Sequence, residues 1–138
     1  MTARQWLSRA RHIDREIDAL MVARDEMVTR LTKVTQTYSD DPVSSTTDPH
    51  KFDKLAELND TINAKIDMLV DVKREITEAI YQLEDGRHRA ILLEYYIAGK
   101  TWEEVAANLH FSWRSLMYTR KRALARFEEL CIELHIEM

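Results

Sequence analysis

Between Ser112 and Phe127 the chain carries five basic residues, Arg114, Arg120, Lys121, Arg122 and Arg126, and no acidic one, although its formal net charge is −4. Trp113, Met117 and Tyr118 are interleaved with them. A cationic cluster of this kind is the electrostatic footprint of contact with phosphates. If the segment is a helix that buries Leu116, Ala123, Leu124 and Phe127, its outward face near the start carries Trp113, Arg114, Met117, Tyr118 and Lys121. Arg114 is the expected guanine reader, because a planar guanidinium can donate to O6 and N7 together. Met117 and Trp113 are expected to meet thymine methyls, with a cover over the preceding turn as the other use of Trp113. Tyr118, Lys121 and Arg122 are expected to hold backbone phosphates, which position a protein without specifying sequence.

Such a face has to be presented by neighbouring elements, and the signals for them lie just upstream. Ser112 has the character of a helix cap and is itself among the residues expected to contact DNA, and Phe111 before it is placed to staple onto Leu116. Thr101 and Glu104 have the spacing of a capping box, so a helix of about eight residues is expected to run to Leu109. Thr101 and Trp102, at the start of this supporting helix, are also expected to touch the DNA backbone. The turn that remains, Leu109-His110-Phe111, is so short that the two helices must cross steeply, which pushes the second one outward. Val105, Ala106, Leu109, Phe111 and Leu116 supply an interior. His110 stands where a left-handed residue is needed, a conformation histidine tolerates better than most. Thr119 occupies a corner that a larger aliphatic residue would fill better. Further upstream, Asp85 should cap a helix over Gly86–Ala98 that buries Ile91, Leu92, Tyr95 and Tyr96 and stops at Gly99.

The first 83 residues read differently. Trp6, Ala10, Ile13, Ile17, Leu20, Met27, Leu31, Val34 and Tyr38 recur at spacings of four and three, with Arg24 the polar member of the series. This predicts one helix over about residues 3–37, roughly 50 Å long at ~1.5 Å per residue. Residues 38–50 contain both prolines and predict a loop, with Asp48 and Pro49 starting the next helix. Leu55, Ile62, Ile66, Leu69, Ile76, Ile80 and Leu83 repeat the period, with Asn59 and Lys73 as register-setting polar positions. The expected fold is all-α: a long antiparallel, coiled-coil-like hairpin (1–83) followed by a helix-turn-helix module (84–138). Two helices make a thin rod, so the hairpin should dimerise, form a higher homo-oligomer, or fold against the C-terminal helices. The tail after Glu128, alternately acidic and apolar, should extend the last helix.

The stretch TWEEVAANLHFSWRSLMYTRKRAL, preceded by GRHRAILLEYYIAGK, is similar to region 4 of sigma-70-type factors. The pattern L-E-D-x-x-x-R followed by Y-Y-I-x-G-K-T-W-E-E-V-A, behind a long helical hairpin, resembles small phage and prophage transcription regulators related to late-gene activators. The resemblance covers residues 83–127 in motif. It implies double-stranded DNA as a partner, RNA polymerase as a second one, and transcription regulation as the role. A dimer reading two half-sites is the expected route to affinity. The alternative is an adaptor or anti-activator that contacts polymerase without binding DNA.

Other chemistries find less support. Arg11-His12-Ile13-Asp14-Arg15-Glu16-Ile17-Asp18, with Arg24, resembles the first helix of helical chorismate mutases, but no matching downstream lysine, arginine and glutamine set follows. No enzymatic activity is expected. The five histidines are dispersed and Cys131 is the single cysteine, so neither a zinc-ligand spacing nor an intrachain disulfide is present. No glycine-rich phosphate loop occurs, so no cofactor is expected. No apolar run approaches the ~18 residues that span a bilayer, which leaves a cytoplasmic protein as the expectation.

Overall fold

The computed structural model describes residues 1–38, 50 and 52–136, without side chains for 34–38. Among these residues it is all-helical: α1 (Ala3–Leu7), α2 (Arg9–Tyr38), α3 (Asp53–Ile80), α4 (Gly86–Leu92) with a π-helical turn (Leu93–Ile97) after it, α5 (Trp102–Asn108) and α6 (Trp113–Glu133). The loop expected between Tyr38 and His50, with the Asp48–Pro49 helix start, lies outside the described residues, as do the last two residues of the tail. No described helix is long and apolar enough to cross a membrane.

The expected single first helix is divided at Ser8. Its hydroxyl and its N–H both bond to the Arg4 carbonyl, at 2.7 and 3.0 Å. Back-bonding of this kind loosens and bends a helix, and Arg9 Nε donates to the Trp6 carbonyl at 3.0 Å across the break. α1 itself starts with a full capping box between Thr2 and Gln5.

The chain packs as two compact units, residues 1–12 with 69–138, and residues 13–68. The first packing unit thus groups the start of α2 and the end of α3 with the helices that follow residue 83. In the first unit Ala3, Trp6, Leu7 and Ala10 meet Ile76, Ala79, Ile80 and Leu83, and both groups meet Tyr96, Ala123, Phe127, Leu130 and Cys131. Trp6 and Phe127 lie 5.8 Å apart between ring centroids. A second cluster of Ile91, Val105, Ala106 and Leu116 is covered by Leu109, Phe111 and Met117. Ala106, 8% exposed, is the small residue that lets α5 approach α6.

In the unit of residues 13–68 only Ile17 and Ile62 are buried among the described residues. Glu16 and Lys65 pair across it at 2.9 Å. Arg24 and Asn59, the polar members of the heptad series, are half-buried, and Arg24 lies 3.6 Å from Asp25.

Candidate nucleic-acid interface

The site is built from the caps outward. Asp85 accepts the Arg87 N–H at 2.9 Å and opens α4; this bond holds its carboxyl below the ordinary value. The helix expected to run unbroken to Ala98 instead widens in its last turn, where the Ala98 N–H reaches the Leu93 carbonyl at 2.9 Å. Gly99, with φ 76°, ends it. The Tyr95 and Lys100 carbonyls at this end receive Arg11 Nη1 at 2.8 and 3.3 Å.

Thr101 accepts the Glu104 N–H at 3.2 Å and so caps α5. The reciprocal half of the expected capping box is replaced by a contact of the Thr101 hydroxyl with the Glu104 carboxylate at 3.3 Å. α5 closes in a Schellman turn: the Phe111 N–H bonds the Ala106 carbonyl at 2.9 Å and the His110 N–H bonds that of Ala107 at 3.4 Å. His110 is the left-handed residue this turn requires, at φ 59°. The same construction ends α6, where His135 has φ 53° and the Ile136 N–H reaches the Cys131 carbonyl at 2.9 Å. Ser112 then caps α6 by accepting the Ser115 N–H at 3.1 Å, while Phe111 and Leu116 share one cluster as a hydrophobic staple would.

On α6, Leu116, Ala123 and Phe127 are fully buried and Leu124 packs against them. Trp113 is 50% exposed and Tyr118 63%, and Ser112, Arg114, Lys121 and Arg122 are exposed beside them. Arg122 leans on Tyr118, with Nη1 donating to the phenol oxygen at 3.0 Å and the guanidinium 5.5 Å from the ring centroid. Met117 is half-buried against the second cluster, so only part of it faces outward with the others. Thr119, at the corner that a larger aliphatic residue would fill better, bonds the Ser115 carbonyl at 2.8 Å and so satisfies its hydroxyl within the helix.

Two of the five basic residues are taken out of the outward face. Arg126 pairs with Glu84 at 3.0 Å, Glu129 at 3.2 Å and Glu133 at 3.3 Å, and these carboxylates push its pKa up. The acidic partners come from outside the 112–127 window, which is why the window looked purely cationic. Arg120 turns inward, its guanidinium 4.5 Å from the centre of the Trp102 indole.

Trp102 is where the structure departs furthest from its expected place on the DNA backbone. It is half-buried and stacks on Tyr95 at 3.8 Å with an interplanar angle of 9°. A parallel ring that close leaves no room on its own side, so Arg120 covers the opposite face. Arg11 lies in turn over Tyr95, 4.1 Å from its centroid. Arg11, Tyr95, Trp102 and Arg120 therefore form a four-layer stack that joins α2, the π turn, α5 and α6. Tyr96, edge-on to Trp102 at 6.3 Å, has its phenol pKa raised by burial, with Arg120 opposing the shift. Arg11, which sequence reasoning set aside with the mutase-like run, is thus a support of this site. No local signal marks it, because its partners lie 84 and 89 residues away.

Among the described residues no group of three or more His, Cys, Asp or Glu side chains could hold a metal ion. Comparisons of the chain with protein-family models, with curated proteins and with solved structures found no match.

Proposed function

We propose that this protein is a cytoplasmic transcription regulator that binds duplex DNA by placing the start of α6 in the major groove. The observation that carries the reading is the exposed, capped N-terminal face of α6. Arg114, Lys121 and Arg122 stand there with Trp113 and Tyr118, and none of the three cations has a carboxylate in ion-pairing distance among the described residues, in a chain of net charge −4. The short supporting helix and its Schellman turn, in the order cap, α5, turn, cap, α6, are what a helix-turn-helix needs. The similarity of residues 83–127 to sigma-70 region 4 supports the same reading and adds RNA polymerase as a second partner. In this scheme Arg114 reads a base, Lys121 and Arg122 hold phosphates, Thr101 lies at the backbone edge, and Trp102 supports the site from within.

The long helices are proposed as an antiparallel hairpin that carries a second copy of the chain. Within the unit of residues 13–68 Glu16 of α2 pairs with Lys65 of α3, which sets the two helices side by side. Met21, Val22, Val28, Ile66 and Met68 are apolar and exposed there, a surface that suits self-association. An adaptor or anti-activator whose hairpin grips another helix while the helix-turn-helix faces RNA polymerase rather than DNA is the competing reading.

Binding of random and selected duplexes over a salt series tests the proposal. Lys121→Ala should weaken binding to all sequences alike and lower the salt slope by about 0.9. Arg114→Ala should cost about 1–3 kcal/mol at one base pair and relax preference there. Equal weakening of every sequence by Arg114→Ala removes its base-reading role. Failure of the wild-type protein to bind any duplex at low salt sinks the regulator reading.

A further inference from the structure

A groove of about 530 Å³ runs between α1 and α6, and Arg4, Arg120 and Lys121 line it. Its apolar floor includes Ala3, Leu124 and Ala125, and Glu128 is the one acidic residue along it. None of the three cations has a carboxylate within ion-pairing distance among the described residues, unlike Arg126 with its three. The opposite flank of α6 is a control within the same molecule. There Glu84, Asp85 and Glu129 face Arg122 and Arg126, with His88 beside them, so carboxylates outnumber guanidiniums by three to two.

We propose that the groove between α1 and α6 is a DNA phosphate site, with Arg120 as its fixed receptor and Arg4 and Lys121 on its rims. The inference rests on the duplex-binding reading and extends that interface to the N-terminal helix. Arg120 is already set for the task. Its guanidinium lies over the Trp102 ring, 4.5 Å from the centroid, and Nη1 makes only a weak contact with Met117 Sδ at 3.8 Å. Its Nε is buried without a hydrogen-bond partner, so the charge is uncompensated. A guanidinium held over a ring has lost its freedom before the anion arrives, and its Nη groups, not the buried Nε, serve as donors for phosphate oxygens. The stack behind it, through Trp102 and Tyr95 to Arg11, keeps it from swinging away.

Position makes the groove part of the interface. It shares Met117 and Lys121 with the outward side of α6, so a strand that meets Lys121 also meets the groove mouth. Arg4 is delivered there because Ala3, Trp6 and Leu7 of α1 pack into the same core as Ala123 and Phe127 of α6. Glu128 closes one end by repelling phosphate and so sets the direction in which the strand leaves.

The test is the salt dependence of binding to a selected duplex and to an unrelated one, using the full chain. Arg4→Ala should weaken both duplexes by one common factor and lower the salt slope by about 0.9, so that its deficit shrinks about 3.5-fold between 50 and 200 mM salt. Arg4→Glu should weaken binding further. Arg120→Lys, which keeps the charge and loses the planar fork, should weaken both duplexes with the slope unchanged. Arg4 is exposed, so its variants fold whether or not Arg120 variants do. If Arg4→Ala and Arg4→Glu bind with wild-type affinity and slope while Lys121→Ala does not, the groove is not a phosphate site and the α6 reading survives. If the wild-type protein binds neither duplex, both fall together.

Discussion

The stack of Arg11, Tyr95, Trp102 and Arg120 makes a stability prediction that separates an inward role for Trp102 from an outward one. Trp102 touches Tyr95 at 3.8 Å, Tyr96 at 6.3 Å and Arg120 at 4.5 Å. Removing a buried indole costs about 3–5 kcal/mol. Because Trp102 is half-buried, Trp102→Ala should fall at the lower end, about 3 kcal/mol, or a fall in Tm of roughly 10 °C for a chain of this size. A guanidinium over an aromatic face contributes about 1 kcal/mol where it is partly desolvated. The double-mutant cycle of Trp102→Ala with Arg120→Ala should therefore return a coupling of about 1 kcal/mol. Arg114→Ala serves as the uncoupled control, since Arg114 is exposed and touches neither Trp102 nor Arg120 among the described contacts. Urea unfolding followed by circular dichroism reads all the variants. A Trp102→Ala protein as stable as wild type but weaker on DNA would refute the reasoning, because the ring would then be an outward contact and not a layer of the stack.

Three further outcomes are expected. His110→Gly and His135→Gly should each raise stability by about 0.5–1 kcal/mol in thermal melts, since glycine adopts φ near +60° without the Cβ penalty, whereas His110→Val should lower it. Asp85 has a folded pKa below its unfolded one, so its contribution is present above the usual carboxylate value and is lost as pH falls through the folded value; Asp85→Ala should flatten the acid side of a plot of Tm against pH, and an unchanged plot would contradict the cap. Cys131, 1% exposed and with its thiol pKa raised by burial and by Glu128, should resist alkylation at neutral pH until the protein unfolds; rapid labelling of the native protein would show that the core around Phe127 is open.

Features that act within a few residues were legible in the sequence. Asp85, Thr101 and Ser112 were recognisable as caps because each bond spans two or three positions. His110 was recognisable as the left-handed residue because it stands where such a turn commonly carries a glycine. Ser8 was missed because its bond to the Arg4 carbonyl leaves the heptad series undisturbed. The π turn was missed because it inserts no residue that breaks the apolar pattern of Ile91, Leu92, Tyr95 and Tyr96. The roles of Arg11, Trp102, Arg120 and Arg126 depend on side chains brought together from distant parts of the chain. An aromatic at the start of a short helix carries no local sign of whether a ring or a solvent shell will cover it. Window counts of charge fail for the same reason, since Glu84 reaches Arg126 from 42 residues away.

The unit of residues 13–68, with Ile17 and Ile62 as its only buried side chains among those described, bears on how the chain comes apart. Amide protons there are guarded mainly by helical bonds that face water, while those around Phe127 and Tyr96 lie under a packed interior. Hydrogen exchange should then run through a low-energy opening of the two long helices well before global unfolding. A second copy bound along those helices would slow that exchange in proportion to its concentration, which turns deuterium uptake into a gauge of assembly.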